Sequence, residues 1–166
     1  MLRDVRLEPF DRTRDFALLE VWLSQPHVSR WWGDPVETLE TLRQESADTQ
    51  ALIVFEGRAV GFICWQMPSR QELLDAGLDD LPPDLVDIDL MLGNPEALGL
   101  GVGPAALHEL LGRLRGAGVS LAGLASAVAN TRAVRAFEKA GFSPYRDFEE
   151  GGEIYRYFVR AVCAAV

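Results

Sequence analysis

The sequence predicts an α/β fold, helices and strands mixed around one sheet, in a single domain over residues 1–166. Three observations carry that expectation. Short apolar runs of strand length are interleaved with segments whose leucines recur at helical spacing. One pair of runs, Ala51–Phe55 and Ala59–Gln66, is separated only by Glu56-Gly57-Arg58, a hairpin signal. No stretch rich enough in proline, glycine or serine to act as a linker divides the chain, and no segment repeats.

Val5–Phe10 reads as the first strand. Asp15–Leu23 follows as a helix, with Leu19, Trp22 and Leu23 at helical spacing. Gln25–Gly33, with Pro26 and the pair Trp31–Trp32, reads as a loop. A second helix is expected from Asp34, because Asp34, Pro35 and Glu37 stand where an N-cap, an N1 proline and a capping-box acid belong. Its Leu39 and Leu42 face the core. After the hairpin, Pro68–Pro83 is a polar, acid-rich insertion closed by Pro82-Pro83. Leu85–Leu92 is the next strand. A helix from about Pro104 to Arg115 shows one continuous stripe, Leu107, Leu110, Leu111 and Leu114, and Gly116 and Gly118 end it. Val119–Val128 is a strand of small residues, Asn130–Ala140 a helix, and Phe142–Phe148 with Ile154–Val159 a final strand pair around Gly151-Gly152.

The bulk numbers exclude several classes. A content of 48% hydrophobic and 25% charged residues is that of a globular chain, not a disordered one. No apolar run approaches the roughly 18 residues a spanning helix needs, so no membrane partner is expected. The opening M-L-R-D-V-R-L-E carries charges where a signal peptide needs an apolar block, which makes the cytoplasm the default location. A net charge of −9, from 16 basic and 25 acidic side chains, argues against nucleic acid and favours a cationic small molecule or peptide. Cys64, Cys163, His27 and His108 show neither disulfide nor metal-ligand spacing, so no metal is expected.

Two short signatures carry the chemistry. Leu98–Gly103 reads L-G-L-G-V-G and leads into a helix. A helix N-terminus leaves backbone N–H groups unpaired and carries about half a positive charge, a fit for pyrophosphate. Glycine at 99, 101 and 103 removes the Cβ atoms that would hold a phosphate away, and Pro104 starts the helix with φ preset. A plain glycine-rich turn is the alternative; a dinucleotide fold is disfavoured because G-x-G-x-G lacks the x-x-G spacing and lies too late in the chain. The second signature, Asn130–Phe142, reads N-T-R-A-V-R-A-F-E-K-A-G-F: a capped helix with an apolar face of Ala133, Ala136, Phe137 and Ala140 and a stop at Gly141.

In this order and spacing the two signatures resemble the cofactor motifs of the GNAT superfamily of N-acetyltransferases, and the order of elements resembles that fold over nearly the whole chain. The resemblance implies a central, mostly antiparallel mixed sheet flanked by helices, and acetyl-CoA as cosubstrate. It assigns cofactor binding to Gly99, Leu100, Gly101, Val102, Gly103 and Pro104, to Asn130, Ala133 and Phe137, and to the backbone of Met91 and Leu92 as oxyanion donors. The family pattern, Gln or Arg, then x-x-Gly-x-Gly or Ala, places Gly101 and Gly103, whereas Leu98 departs from its first position. Phe137 departs too: many relatives carry Tyr there to protonate the leaving thiolate. Water, Tyr145, Tyr155 or Tyr157 would have to do so here.

The acceptor side starts from the strand before the glycine turn. Side chains alternate along a strand, so Val86, Ile88, Leu90 and Leu92 share one face and Asp87, Asp89 and Met91 the other. Two carboxylates then lie about 7 Å apart, from two steps of roughly 3.4 Å. They are either ordinary solvated acids or a site for a cation, with a general base to deprotonate an ammonium. P-H-V-S-R-W-W-G-D at 26–34 and D-I-D-L-M-L-G-N at 87–94 resemble the aminoglycoside 6′-N-acetyltransferase branch of the superfamily, linked with antibiotic resistance. That branch implies Asp89 as the base. On the residues themselves, Asp87 is the candidate to bind the cationic amine, one of Trp31 and Trp32 is expected in the core and the other walling the amine pocket, and His27 either hydrogen-bonds the loop or serves the site. A sister branch acting on siderophore hydroxylysine-type amines shares the Trp-Trp region. Polyamines, peptide N-termini and a non-catalytic acyl-CoA-binding module stay open beside it, as do the monomer and the homodimer. Glu72, Asp75, Asp79, Asp80 and Asp84 add an acid run that reads either as a solvated loop or as further attraction for a polyamine.

Overall fold

A computed structural model describes residues 4–162, so Cys163 lies outside the described residues. In chain order the elements are β1 (Val5–Pro9), α1 (Phe16–Leu23), α2 (Pro26–Trp32), α3 (Pro35–Gln44), β2 (Gln50–Phe55), β3 (Arg58–Gln66), α4 (Arg70–Asp75), β4 (Val86–Leu92), α5 (Val102–Gly116), β5 (Leu121–Ala127), α6 (Thr131–Lys139), β6 (Ser143–Glu150) and β7 (Glu153–Ala161). The strands hydrogen-bond in the order β1-β2-β3-β4-β5-β7-β6. β4 and β5 run parallel, whereas β1–β2, β2–β3, β5–β7 and β6–β7 are antiparallel. This is the expected class, a mixed sheet with helices. Among the described residues no helix is long and apolar enough to cross a membrane.

Three elements differ from the sequence reading. The segment taken as a loop, Gln25–Gly33, is the helix α2: Pro26 presets its first turn and Gly33, at φ +79, stops it. Seven residues are too few for an apolar stripe to show. The polar insertion holds α4, announced by a box that the acid content masked. Ser69 Oγ accepts from the Glu72 N–H at 3.1 Å and the Glu72 carboxylate from the Ser69 N–H at 2.9 Å. Helix α5 begins at Val102, two residues before Pro104. A proline at the third position costs nothing, because that N–H has no intrahelical acceptor.

The chain divides into two compact units. The first takes the residues up to Cys64 together with Leu90–Ala106. Its core gathers Leu19, Trp22 and Leu23 of α1, Val28 of α2, Leu39 and Leu42 of α3, and Leu52, Val54, Phe62 and Cys64 of the hairpin, with Met91. Asp34 caps α3 by accepting from the N–H groups of Val36 and Glu37. At its other end Arg12 donates to the carbonyls of Leu42 and Glu45. The β2–β3 turn uses Glu56 at φ +50 and Gly57 at φ +81, the primed geometry a two-residue hairpin favours. Gly61 and Gly93 serve packing instead: a Cβ on the first would overlap the Met91 carbonyl, and one on the second the buried Trp22 indole.

The second unit takes Trp65–Asp89 and the residues from Leu107 onward. β5 pairs with β7 along its whole length, from Leu121↔Ala161 to Ala127↔Tyr155. Its register with β4 covers only Val86↔Ala122 and Asp87↔Gly123. Leu73, Leu78, Leu85 and Tyr157 form a core cluster there, which anchors α4 and the turn after it. Helix α6 turns Phe137 inward, edge-on to Phe158 at 5.6 Å between centroids.

Candidate active site

In the first unit, the expected cofactor turn is exposed over Gly99–Gly101, while Val102 and Gly103 are buried, and its backbone depends on glycine, with Gly99 at φ +75 and Gly101 at φ +80. The carbonyl of Gly101 accepts from the Ala105 N–H, which makes Gly101 the residue that opens α5. Val102 and Gly103 therefore lie inside the first turn, where N–H groups lack intrahelical partners. Leu100 is exposed at the tip of the turn.

His27 Nε2 lies 2.8 Å from the Leu92 carbonyl. A carbonyl only accepts, so Nε2 carries the proton, and α2 is tied through this ring to the end of β4. Trp32 packs against the core cluster, while Arg30 covers the ring of Trp31 at 4.6 Å. The two indoles part because neighbouring helical residues point about 100° apart, not because a loop splays them.

The expected alternation along β4 holds only in part. Val86 and Ile88 are buried and Asp87 and Asp89 less so, but Met91 is buried in the first unit's core. Leu90 and Leu92, expected beside Val86 and Ile88, are only half-buried, so burial stops alternating beyond Asp89.

In the second unit, Asp87 is the most perturbed carboxyl. Tyr157 Oη donates to Asp87 Oδ1 at 2.9 Å. The residue as a whole is half-buried, but its carboxyl group is almost surrounded by protein. Burial first, then the charge of Asp89, push Asp87 up to about 8, with a smaller push from Glu72, while the Tyr157 hydrogen bond pulls the other way. Burial first, then Asp87 through its charge and hydrogen bond, and Asp89 raise the Tyr157 phenol above its ordinary range. Asp89 is exposed. Sequence reasoning did not foresee the Asp87–Tyr157 bond, because no local pattern marks partners so far apart in the chain.

A stability test follows from that shift. Between the ordinary value of 3.8 and about 8, folded Asp87 holds a proton that the unfolded chain has released. Wild-type stability therefore falls as pH rises across that window and levels off above it. Asp87→Asn removes the dependence, so its melting temperature minus that of wild type is expected to climb from pH 4 to pH 8. Parallel thermal melts check this; a constant difference would contradict the shift.

Most of the acid run is engaged locally. The Glu72 carboxylate caps α4, Asp75 accepts from Gln71 at 2.9 Å, and Asp84 from the Ser120 hydroxyl. Asp80 accepts from Tyr145 and pairs with Arg146 at 3.0 Å, which pins the turn after α4 to β6. The run is thus largely a structural network, and its charges stay near the surface. On α6, Asn130 Oδ1 accepts from the Ala133 N–H at 3.3 Å, a cap, and Ala133 is half-buried. Phe137 is buried at 5% exposure. Among the described residues, no group of three or more His, Cys, Asp or Glu is placed to hold a metal ion.

A family model described as an acetyltransferase (GNAT) domain matches residues 11–149. An aminoglycoside N(6')-acetyltransferase type 1 of Klebsiella pneumoniae is 29% identical over 146 residues, covering 77% of this chain and 69% of that protein. The solved structure of AAC(6')-Ib in complex with ribostamycin and coenzyme A matches with a TM-score of 0.77 at 24% identity, covering 95% of this chain and 93% of the other. An aminoglycoside N(6')acetyltransferase from Legionella pneumophila matches with a TM-score of 0.71 at 16% identity, covering 98% and 94%. At those identities the two structural matches are likenesses of fold.

Proposed function

The chain belongs to the GNAT acetyltransferase family, and from that premise we propose that it transfers the acetyl group of acetyl-CoA to a primary amine of a cationic, aminoglycoside-like acceptor, at the 6′ position. The observation that carries the acceptor class is the pair of acids Asp87 and Asp89 two residues apart on β4, with Asp87 raised to about 8, read beside the 29% identity to an aminoglycoside N(6')-acetyltransferase. Residues 1–166 act as one catalytic domain, in the cytoplasm, as a monomer or homodimer.

Acetyl-CoA is held through its pyrophosphate at the turn Gly99–Pro104, by backbone N–H groups and the dipole of α5, and through its arm beside Asn130, Ala133 and Phe137. Asp87, Trp31, Trp32 and His27 bind the acceptor. Asp89 takes a proton from the ammonium and frees the lone pair. The amine nitrogen then forms a bond to the thioester carbon while backbone N–H groups of Met91 and Leu92 hold the oxyanion. Collapse breaks the C–S bond. The nitrogen gives up its remaining extra proton as the amide forms, and the leaving thiolate takes up a proton through water or from Tyr155: Phe137 has none to give, and the hydroxyls of Tyr145 and Tyr157 already donate to Asp80 and Asp87.

Thiol release from acetyl-CoA, measured with aminoglycosides, hydroxylysine-type amines, polyamines and peptide N-termini, tests the acceptor class. Turnover confined to another class would overturn the aminoglycoside reading, and release with none would overturn the enzyme reading. The cofactor turn is tested separately with Gly101→Val. The variant sets a β-branched residue at φ +80 and a side chain against the pyrophosphate. Calorimetry is expected to show acetyl-CoA affinity at least about tenfold weaker, the worth of one charged hydrogen bond. Unchanged affinity would move the cofactor elsewhere.

A further inference from the structure

Tyr157 sits in a seat made for it. On β5, Gly123 is the register partner of Asp87 on β4 and of Val159 on β7, while Tyr157 stands two residues along β7, opposite Ala125. A Cβ on Gly123 would overlap the hydroxyl end of the Tyr157 ring. The φ of Gly123 is not in the left-handed region, so the glycine serves space rather than backbone conformation. The ring crosses the bare Cα of β5, and its hydroxyl reaches Asp87 Oδ1 one strand further on, at 2.9 Å. Tyr157 is 4% exposed and belongs to the core cluster of Leu73, Leu78 and Leu85, so the phenol has little freedom to leave.

The charged and titratable groups facing the Asp87 carboxyl come from three elements. Tyr157 comes from β7, Asp89 from β4 itself, and Glu72 from the first turn of α4, while β5 passes between Tyr157 and Asp87 at Gly123. Of these, the phenol alone stabilises the ionised carboxyl, since a donated hydrogen bond favours the anion while burial and two acids oppose it. Removing it leaves every remaining influence on the side of the proton.

We propose that Tyr157 is a positioning residue that governs when Asp87 is ionised: seated over Gly123, its hydroxyl fixes Oδ1 and favours the carboxylate, so that the acceptor site gains a second negative charge as pH rises and with it a preference for acceptors that carry a second ammonium group. This rests on the reading that Asp87 and Asp89 face the acceptor. Below the transition the site presents the charge of Asp89 beside a neutral carboxyl. Above it, both acids are charged, and a polycation is held at two points.

The first measurement is independent of turnover. In protein labelled with ¹³C at the aspartate carboxyls, the Asp87 signal, assigned by its loss in Asp87→Asn, is followed from pH 5 to pH 10. Wild type is expected to titrate near pH 8, Tyr157→Phe at higher pH, and protein made with 3-fluorotyrosine, whose phenol is the stronger donor, at lower pH. The fluorinated protein keeps every ring in place, so it reports even where Tyr157→Phe folds poorly. An Asp87 midpoint that moves with neither change overturns the role of Tyr157.

The second measurement is KM for an aminoglycoside at pH 6.5 and pH 9. Tyr157→Phe is expected to match wild type at the lower pH and to exceed it about fivefold at the higher, the worth of one exposed ion pair. If the midpoints shift as expected while KM is unaffected at both pH values, the tyrosine tunes Asp87 but the charge does not serve the acceptor, and the preference for a second ammonium is overturned. If no amine is turned over at all, the function reading has failed, and the carboxyl titration still decides the role of Tyr157.

Discussion

Asp89→Asn is expected to lower kcat/KM for an aminoglycoside by about 10² to 10⁴, the usual worth of a general base. The change keeps the shape of the side chain and removes both its charge and its capacity to take a proton. An ammonium has no lone pair, so the loss falls on kcat as well as on kcat/KM. Acetyl-CoA affinity should survive, because the pyrophosphate grip is assigned to the turn before α5. Asp87→Asn is expected to act mainly on KM, and above about pH 8, where the wild-type carboxyl is charged, as the loss of uniform binding to a cation does. Steady-state kinetics of both variants decide between the acids. Exchanged phenotypes would make Asp87 the base, which its elevated titration near 8 would suit at neutral pH. Normal turnover in both would send the search to His27 or to water.

Gly93→Val is expected to cost about 3 kcal/mol, the upper end for overpacking a close-packed interior. Already the first added carbon would overlap the Trp22 indole, a ring 5% exposed and flanked in the core by Leu19, Leu23 and Phe62. Gly93 has an ordinary backbone conformation, so the penalty measures space alone. For a chain of this length about 3 kcal/mol lowers the melting temperature by about 6–12 °C. Thermal unfolding followed by tryptophan fluorescence reads it directly. Gly93→Ala should fall between wild type and Gly93→Val, and an unchanged midpoint in both would show that Trp22 can move aside freely.

Elements with a strong local signal were legible. The four-leucine stripe of α5, the Glu56-Gly57 hairpin, the Asp34 cap of α3 and the Asn130 cap with the Gly141 stop of α6 each rest on residues within a turn or two of one another. The errors share a physical cause. Helix α2 is too short to display a period, and the capping box of α4 shares its Glu72 with an acid run whose charge hides the helical signal. The start of α5 moved because a proline is tolerated at any of the first helical positions.

The candidate site divides along the same line. Local chemistry in the sequence by itself determined the family, the glycine turn ahead of a helix, the capped α6 and the pair of acids two residues apart on one strand. Tertiary structure alone decided what each acid is. Four residues of the acid run are spent within the fold, Glu72 on a helix cap, Asp75 and Asp84 on bonds from Gln71 and Ser120, and Asp80 on the link to β6, a use that composition does not reveal. Met91 is buried because the first unit's core closes over it, which alternation along the strand does not reveal. Asp87 became the perturbed carboxyl because Tyr157, on another strand, reaches it across Gly123. Spacing along the chain sets which side chains can share a face; burial and the charge around each one depend on what the fold brings from far away, and those set its protonation.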